Sequence, residues 1–275
     1  MKVSVNILDR NGSAGPTCRA MAKGIERCGD QTVFRTDRDF NMDGYNACVL
    51  WGFVENCQKI IAHCVAKGIP YVFLDMGYWR RDDSYYKVSV NDRHPTHYFM
   101  KTKLPPDRFN QLRLPIKDWR RSSGGHILLA GMSGKAAWAW KLPSEQFERD
   151  MVAALRKITT REVVYRPKPS WPEARPIHGA RFDRKGSLAA ALASAYCVIS
   201  HHSNVAADAL LEGIPTLTKY GVASVLGPLD LSKLDTPDYP EGREQWAYNV
   251  AYSQWRLDEM SSGACWKHLK DVRLI

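Results

Sequence analysis

The chain of 275 residues carries 39 Lys and Arg against 29 Asp and Glu, a formal net charge of +10. With 44% hydrophobic and 25% charged residues it has the make-up of a globular protein of about two modest domains, which excludes wholesale disorder and fibrous repeats. No apolar run approaches the roughly 20 residues of a membrane-spanning helix. The opening MKVSVNILDRNG reads as a strand and turn rather than a signal core. A soluble, cytoplasmic protein without a membrane partner is expected.

In chain order, Lys2–Leu8 reads as a strand, followed by a turn through Asn11, Gly12 and Gly15 and a helix over about Pro16–Cys28. Thr32–Arg35 and Ala47–Gly52 are short apolar runs suited to buried strands. Val54–Lys67 is a helix stopped by Gly68, and Tyr71–Leu74 is the next strand. The stretch Arg113–Gly125, with Pro, four cations and a terminal Ser-Ser-Gly-Gly, reads as a linker. The alternation then restarts: strand His126–Ala130, helix Ser144–Lys157, strand Glu162–Tyr165, helix around Leu188–Ala193 and strand Cys197–Ser200. Helix Val205–Glu212 ends at Gly213, a strand opens at Thr216–Thr218, and helical patterns cover about Glu241–Met260 and Ala264–Val272. Apolar strands alternating with helices predict parallel sheets covered on both faces. The expected architecture is therefore α/β, with two Rossmann-like domains facing a central cleft: residues 1–112, a linker 113–125, and residues 126–275 including the terminal helices. Ligands bind such sheets at the carboxyl ends of their strands.

The charge is unevenly spread along the chain. Residues 1–125 hold 20 Lys and Arg against 13 Asp and Glu, a surplus of +7, and residues 126–275 hold 19 against 16, a surplus of +3. A basic first half suits a polyanionic partner. The seven cysteines form an odd set without a CxxC pair and read as free core thiols of a reducing compartment. No Cys and His cluster has zinc spacing.

The most informative run is Cys197–Thr218, CVISHHSNVAADALLEGIPTLT. An apolar strand ends at Ser200, a polar turn of His201, His202, Ser203 and Asn204 follows, and a helix opens whose unpaired N–H groups favour an anion. An ordinary helix cap is the plain alternative. The order of strand, Ser-containing turn, acidic residue followed by Ala, then Gly-x-Pro resembles the donor-binding half of GT-B glycosyltransferases. Asp208, Ala209, Gly213 and Pro215 occupy that pattern, with Asp208 where the family has Glu. The resemblance assigns His202, Ser203 and Asn204 to the donor diphosphate and Asp208 to the nucleotide ribose. Upstream, VVYRPKPSW is similar to the R-P-H-P segment of glycerophosphate and capsule-type transferases, which places Arg166 and Lys168 toward the donor phosphates; Lys168 stands where that family has His.

LLAGMSGKAAWAW invites a P-loop reading that fails, since Leu129 replaces the first Gly and Ala136 the metal-binding Ser or Thr. As the first turn of a GT-B second domain, Ser133 and Gly134 are expected to approach the donor closely. The loop DRDFNMDG formally contains the D-x-D of another transferase fold (Asp37, Asp39). It also matches half of a calcium loop whose closing Glu is Leu50. A solvated connection and chemistry without a metal are expected.

Asp75 and Asp9 each follow an apolar strand and are candidates for the base that deprotonates an acceptor hydroxyl, with Asp75 preferred. Asp75 also opens a neighbourhood of Tyr78, Trp79, Arg80, Arg81, Lys87 and Arg93, joined in composition by Arg120 and Arg121 of the linker. Cations interleaved with aromatics can hold phosphates and stack on a displaced base; a loop packed on its own domain is the alternative. The family rule of acceptor binding by the first domain, together with these residues, makes the chain resemble bacteriophage enzymes that glycosylate hydroxymethylated pyrimidines in DNA. Such a protein implies a nucleotide sugar, most simply a UDP-sugar, as co-substrate, DNA as partner and no further cofactor. A glycan or teichoic-acid-type acceptor, or a non-catalytic nucleic-acid-binding protein on the same fold, stays open beside it.

Overall fold

The computed structural model describes residues 1–8, 12–36, 40–122 and 124–275. The chain begins with β1 (Lys2–Asn6). Helix α1 (Ala14–Arg27) buries Ala14, Thr17, Cys18, Met21 and Ile25, the spacing of one helical face. Then come β2 (Gln31–Arg35), the wholly buried β3 (Ala47–Trp51) and α2 (Glu55–Lys67), which Gly68 terminates in the left-handed conformation at φ 66°. β4 (Tyr71–Met76), β5 (Tyr85–Val90) and the short α3 (Asp107–Leu112) follow. The middle of the chain supplies β6 (His126–Ala130), α4 (Gly134–Ala139), α5 (Gln146–Ile158), β7 (Val163–Arg166), β8 (Arg181–Phe182) and α6 (Leu188–Ala193). β9 (Ala195–Ser200), α7 (Val205–Leu211) and β10 (Thr216–Thr218) complete it. The chain closes with α8 (Arg243–Ala251), β11 (Gln254–Arg256), α9 (Leu257–Ser262) and α10 (Ala264–Asp271).

Two compact units result: Met1–Arg108 with Tyr248–Ile275, and Phe109–Ala247. The first holds a six-stranded sheet in the order β11-β5-β4-β3-β1-β2. Its strands are parallel except β5, antiparallel to β4, and β11, antiparallel to β5. The second holds an all-parallel sheet, β10-β9-β6-β7-β8. The expected pair of Rossmann-like α/β units is the observed fold.

The period of two in a strand sorts the first core. In β3, Ala47, Val49 and Trp51 join Val5, Met21, Ile25, Leu74 and Trp266 on one face, while Cys48 and Leu50 join Met42, Cys57, Ile60 and Phe73 on the other. The second unit is built on Ile127, Leu129, Phe147, Leu155, Tyr165 and Ile199. All seven cysteines are free thiols, and all but Cys28 are buried.

Two expectations are corrected. The terminal helices do not belong to the second domain. Residues expected to continue a helix to Met260 instead break into β11, whose Gln254, Trp255 and Arg256 pair with Lys87, Tyr86 and Tyr85. Helices α9 and α10 then pack on α1, where Gly24 leaves room that a Cβ would take from the Met260 carbonyl. The stretch 113–125 is not a loose linker either. Lys117 and Arg120 donate backbone N–H bonds to the Leu211 and Gly213 carbonyls at 2.8 and 2.7 Å, and the Arg243 guanidinium lies 4.0 Å from the Trp119 ring while bonding the Lys117 carbonyl. Gly213, at φ 73°, is required there, since a Cβ would overlap the Asp118 carbonyl. Polar composition concealed this strap because its bonds run through backbone groups.

Candidate functional site

In the second unit, Ala130 lies opposite both Arg166 and Ser200, and Ser200 lies opposite Thr218. The segments after these residues therefore leave four neighbouring parallel strands at one edge of the sheet. The structure thus brings together Ser133, Gly134, Arg166, Lys168 and the turn His201–Asn204, which sequence separates by up to some seventy positions.

The individual side chains differ from expectation. Ser133 caps α4, its Oγ accepting the Ala136 N–H at 3.2 Å. Gly134 lies under the Trp171 indole, which fills the place a Cβ would occupy, so its smallness serves an aromatic contact. Arg166 is paired with Asp183 at 2.7 Å, both largely buried. Burial pushes the Asp183 carboxyl up, but the Gly186 N–H and the Arg166 guanidinium outweigh it and hold the carboxyl below the usual range. Lys168 is exposed. Ser203 Oγ accepts the Val205 N–H at 3.3 Å, Asn204 precedes α7, and half-buried Asp208 lies within it.

Sequence reading placed His201 and His202 at this edge but missed Tyr220, with which they and Trp140 form a cluster. The rings of Trp140 and Tyr220 are 4.4 Å apart, and His201 and His202, joined Nδ1 to Nδ1 at 2.9 Å, lie 4.9 and 5.8 Å from Trp140. His201 is buried against Phe147 and Tyr220, whereas Tyr220 is exposed. Tyr220 follows β10, so the strand-end rule that singled out the 201–204 turn could have found it. A second missed residue is Glu148, wholly buried beneath the Gly131–Ser133 turn, where its Oε1 accepts the Met132 N–H at 2.5 Å. Burial raises its carboxyl pKa against the opposing pull of that bond.

In the first unit, Asp75 ends β4 and is opposite Lys87 of β5. Its Oδ1 accepts the Met76 N–H at 2.8 Å and its Oδ2 lies 3.7 Å from Lys87 Nζ. The Asp75 side chain is 43% exposed and that of Lys87 only 6%, so the carboxylate faces solvent with a sequestered ammonium behind it. Lys87 also rests over the Phe73 ring at 5.2 Å. It is a buried partner of Asp75 and not an acceptor contact. Asp9 lies outside the described residues, as do Asp37 and Asp39.

The aromatic half of the acceptor surface is corrected. Tyr78 is fully buried, with its hydroxyl 3.0 Å from His94 Nδ1, and Trp79 is buried beside it. Both backbone N–H groups bond Gln254 Oε1, at 2.8 and 3.0 Å. The segment is thus tied to β11 through its backbone, and both rings are withdrawn from the surface. Arg80 and Arg81 are exposed. Arg93 stacks 3.3 Å over Phe53. Arg120 is also reassigned: its Nη1 donates to the carbonyls of Leu192, Ala193 and Ala195, tying down the strap. Arg121 is exposed and rests 4.5 Å over Tyr239. Among the described residues there is no group of three or more His, Cys, Asp or Glu able to hold a metal, and no helix is long and apolar enough to cross a membrane.

No family model and no curated protein sequence matches the chain. Among solved structures it is similar to the β-Kdo 2,7-transferase of Thermosulfurimonas dismutans KpsC, with 12% identity and a TM-score of 0.59 over 91% of this chain and 90% of that one. It is also similar to the β-Kdo 2,4-transferase of the same KpsC, with 12% identity and a TM-score of 0.54 over 90% of each chain. The shared feature is the fold, the two Rossmann-like units of GT-B glycosyltransferases.

Proposed function

We propose that the chain is a glycosyltransferase that moves a sugar from a nucleotide sugar, most simply a UDP-sugar, to a hydroxyl, with a hydroxymethylated pyrimidine in DNA as the acceptor. The observation that carries the reading is the convergence of the 131–134, 166–168, 201–204 and 219–221 segments on one edge of the second sheet. In this reading the donor diphosphate rests on the backbone of the His201–Asn204 turn, with Ser203 and the exposed Lys168 beside it, and the nucleoside lies against the Trp140–Tyr220 pair. Arg166, neutralised by Asp183, serves the donor by fixing the end of β7.

Asp75 takes the proton as the acceptor oxygen attacks the anomeric carbon, and the nucleoside diphosphate leaves with the electrons of the broken C–O bond. Lys87, 3.7 Å from its Oδ2, orients the Asp75 carboxylate. No step is routed through a metal. The +10 charge and the exposed Arg80 and Arg81, a few residues beyond Asp75, support a polyanionic acceptor. The test is incubation with UDP-sugars and hydroxymethylated DNA, followed by mass analysis of the nucleosides. One hexose or pentose per modified base is expected; unchanged nucleosides with every donor would reject the DNA acceptor.

A glycan acceptor is the second reading, favoured by the burial of Tyr78 and Trp79, which removes the expected stacking surface for a displaced base. Duplex binding that weakens steeply with salt argues for DNA; indifference to DNA with turnover on a glycan argues for the second reading. A non-catalytic binding protein would bind DNA equally well after Asp75→Asn and Ser203→Ala and would turn over no donor.

A further inference from the structure

A cavity of about 170 Å³ lies within the first unit, between β5, the 98–104 segment and the C-terminal helices. Val88, Phe99, Leu104, Leu269 and Val272 supply apolar walls, and the exposed Lys101 and Thr102 stand on its rim. It shares no residue with Asp75 or with the edge of the second sheet. Cavities of roughly 150 Å³ lined by apolar side chains accept a benzene ring, so this one fits a single six-membered aromatic ring.

The wall is a built one. Asn249 donates to the Phe99 and Thr102 carbonyls and accepts the Leu104 N–H at 3.2 Å, which pins the 99–104 segment around the opening. His268 lies against the Tyr252 and Trp255 rings at 4.9 and 5.5 Å. Burial, helped by the nearby Arg108 charge and opposed by Asp271, pushes its pKa down to about 4. At neutral pH it is an uncharged imidazole that can offer one N–H and demands no counter-ion. Among the described residues lining the cavity, Lys101 alone is charged at that pH and none is acidic. A slot with apolar walls, neutral polar groups such as Ser253 and Tyr252, and one cation at its mouth is complementary to a ring bearing one negative charge.

We propose that this cavity is a binding site for a monocyclic aromatic carboxylate, with the ring between Val88, Phe99 and Leu269 and the carboxylate at Lys101 and His268. The site is independent of the transferase reading. Bound ligand would join the C-terminal segment to β5 and so stabilise the first unit by mass action.

The test uses benzoate, benzyl alcohol and acetate in calorimetric and thermal-midpoint titrations of the whole chain. Benzoate should bind saturably and raise the midpoint, benzyl alcohol should bind about fivefold more weakly, and acetate should do neither. Lys101→Ala should bring benzoate down to the level of benzyl alcohol. Thr102→Trp, at an exposed rim position, should abolish both while leaving the midpoint of the unliganded protein in place. No saturable binding of either ring compound, acetate binding as well as benzoate, or benzoate affinity unchanged in both variants would each overturn the proposal.

Discussion

Asp75 and Asp30 are both acidic residues facing a lysine, yet the structure gives them opposite situations. Asp75 is half-exposed with Lys87 sequestered behind it, an arrangement suited to a group that exchanges protons with a ligand. On the proposed reaction, Asp75→Asn keeps the shape and removes the base, so kcat should fall about 10²–10⁴-fold, with donor KM and the thermal midpoint nearly unchanged. A KM rise at constant kcat would instead make Asp75 a binding residue. Asp30 is buried, and it accepts bonds from the chain's first amino group at 2.6 Å, Trp266 Nε1 at 2.7 Å and Lys270 Nζ at 3.0 Å. Burial pushes its pKa up, but these three bonds and the Lys270 charge bring it down to about 2. A carboxyl depressed by folding stabilises the native state fully above its ordinary value near 4, and that contribution is lost as pH falls from about 4 toward 2. Asp30→Asn should cost about 2 kcal/mol at neutral pH and flatten the acid limb of stability over that window. Denaturation midpoints from pH 2 to 7 decide it.

Among the elements, the edge of the first sheet is the most consequential. β11 carries Gln254, fully buried, whose Oε1 takes the N–H groups of both Tyr78 and Trp79. Gln254→Ala leaves two buried donors unmet and should cost about 3 kcal/mol, with faster hydrogen exchange at both amides. On the other flank, Gly24→Ala would drive a methyl into the Met260 carbonyl and should destabilise the α1–α9 contact by about 1–3 kcal/mol. Unperturbed melting of either variant would remove the role given to these contacts. These two elements also show where the sequence was hard to read. β1, β3, β4, β6 and β9 are short apolar runs and were legible as strands. β5, with Lys87, looked like part of a binding loop, and β11 sat inside a helical pattern. β11 is the edge strand and β5 lies between it and β4, so β11 exists through its pairing with a segment far away in the chain, a non-local fact that composition does not carry.

For the molecule as a whole, regrouping the C-terminal segment changes the meaning of the charge. The first unit holds 20 Lys and Arg against 15 Asp and Glu, and the second 19 against 14, so each carries a surplus of +5. The uneven +7 and +3 belonged to a cut in the sequence and not to the folded units. The overall positive surplus survives this regrouping, while a specifically basic first half does not. On the proposed function, a nucleotide sugar present at about 100 times its Kd should add about 2.7 kcal/mol to stability. Tyr220→Ala should reduce that gain while costing the unliganded protein about 1 kcal/mol, the worth of its packing on the Trp140 ring. A thermal midpoint indifferent to every nucleotide would count against the transferase reading.

The sequence by itself determined the two α/β units, the parallel strands of their centres and the turn after β9, because those depend on local hydrophobic runs and glycine stops. It also placed 131–134, 166–168 and 201–204 at strand ends, and parallel pairing then gathers such ends at one edge. Tertiary structure alone decided what each side chain there is free to do. Arg166 meets Asp183, Gly134 lies under Trp171, Lys87 is drawn inward behind Asp75, and Tyr78 and Trp79 become core. A charge or a ring is exposed or consumed according to what packs against it, and those neighbours come from distant parts of the chain.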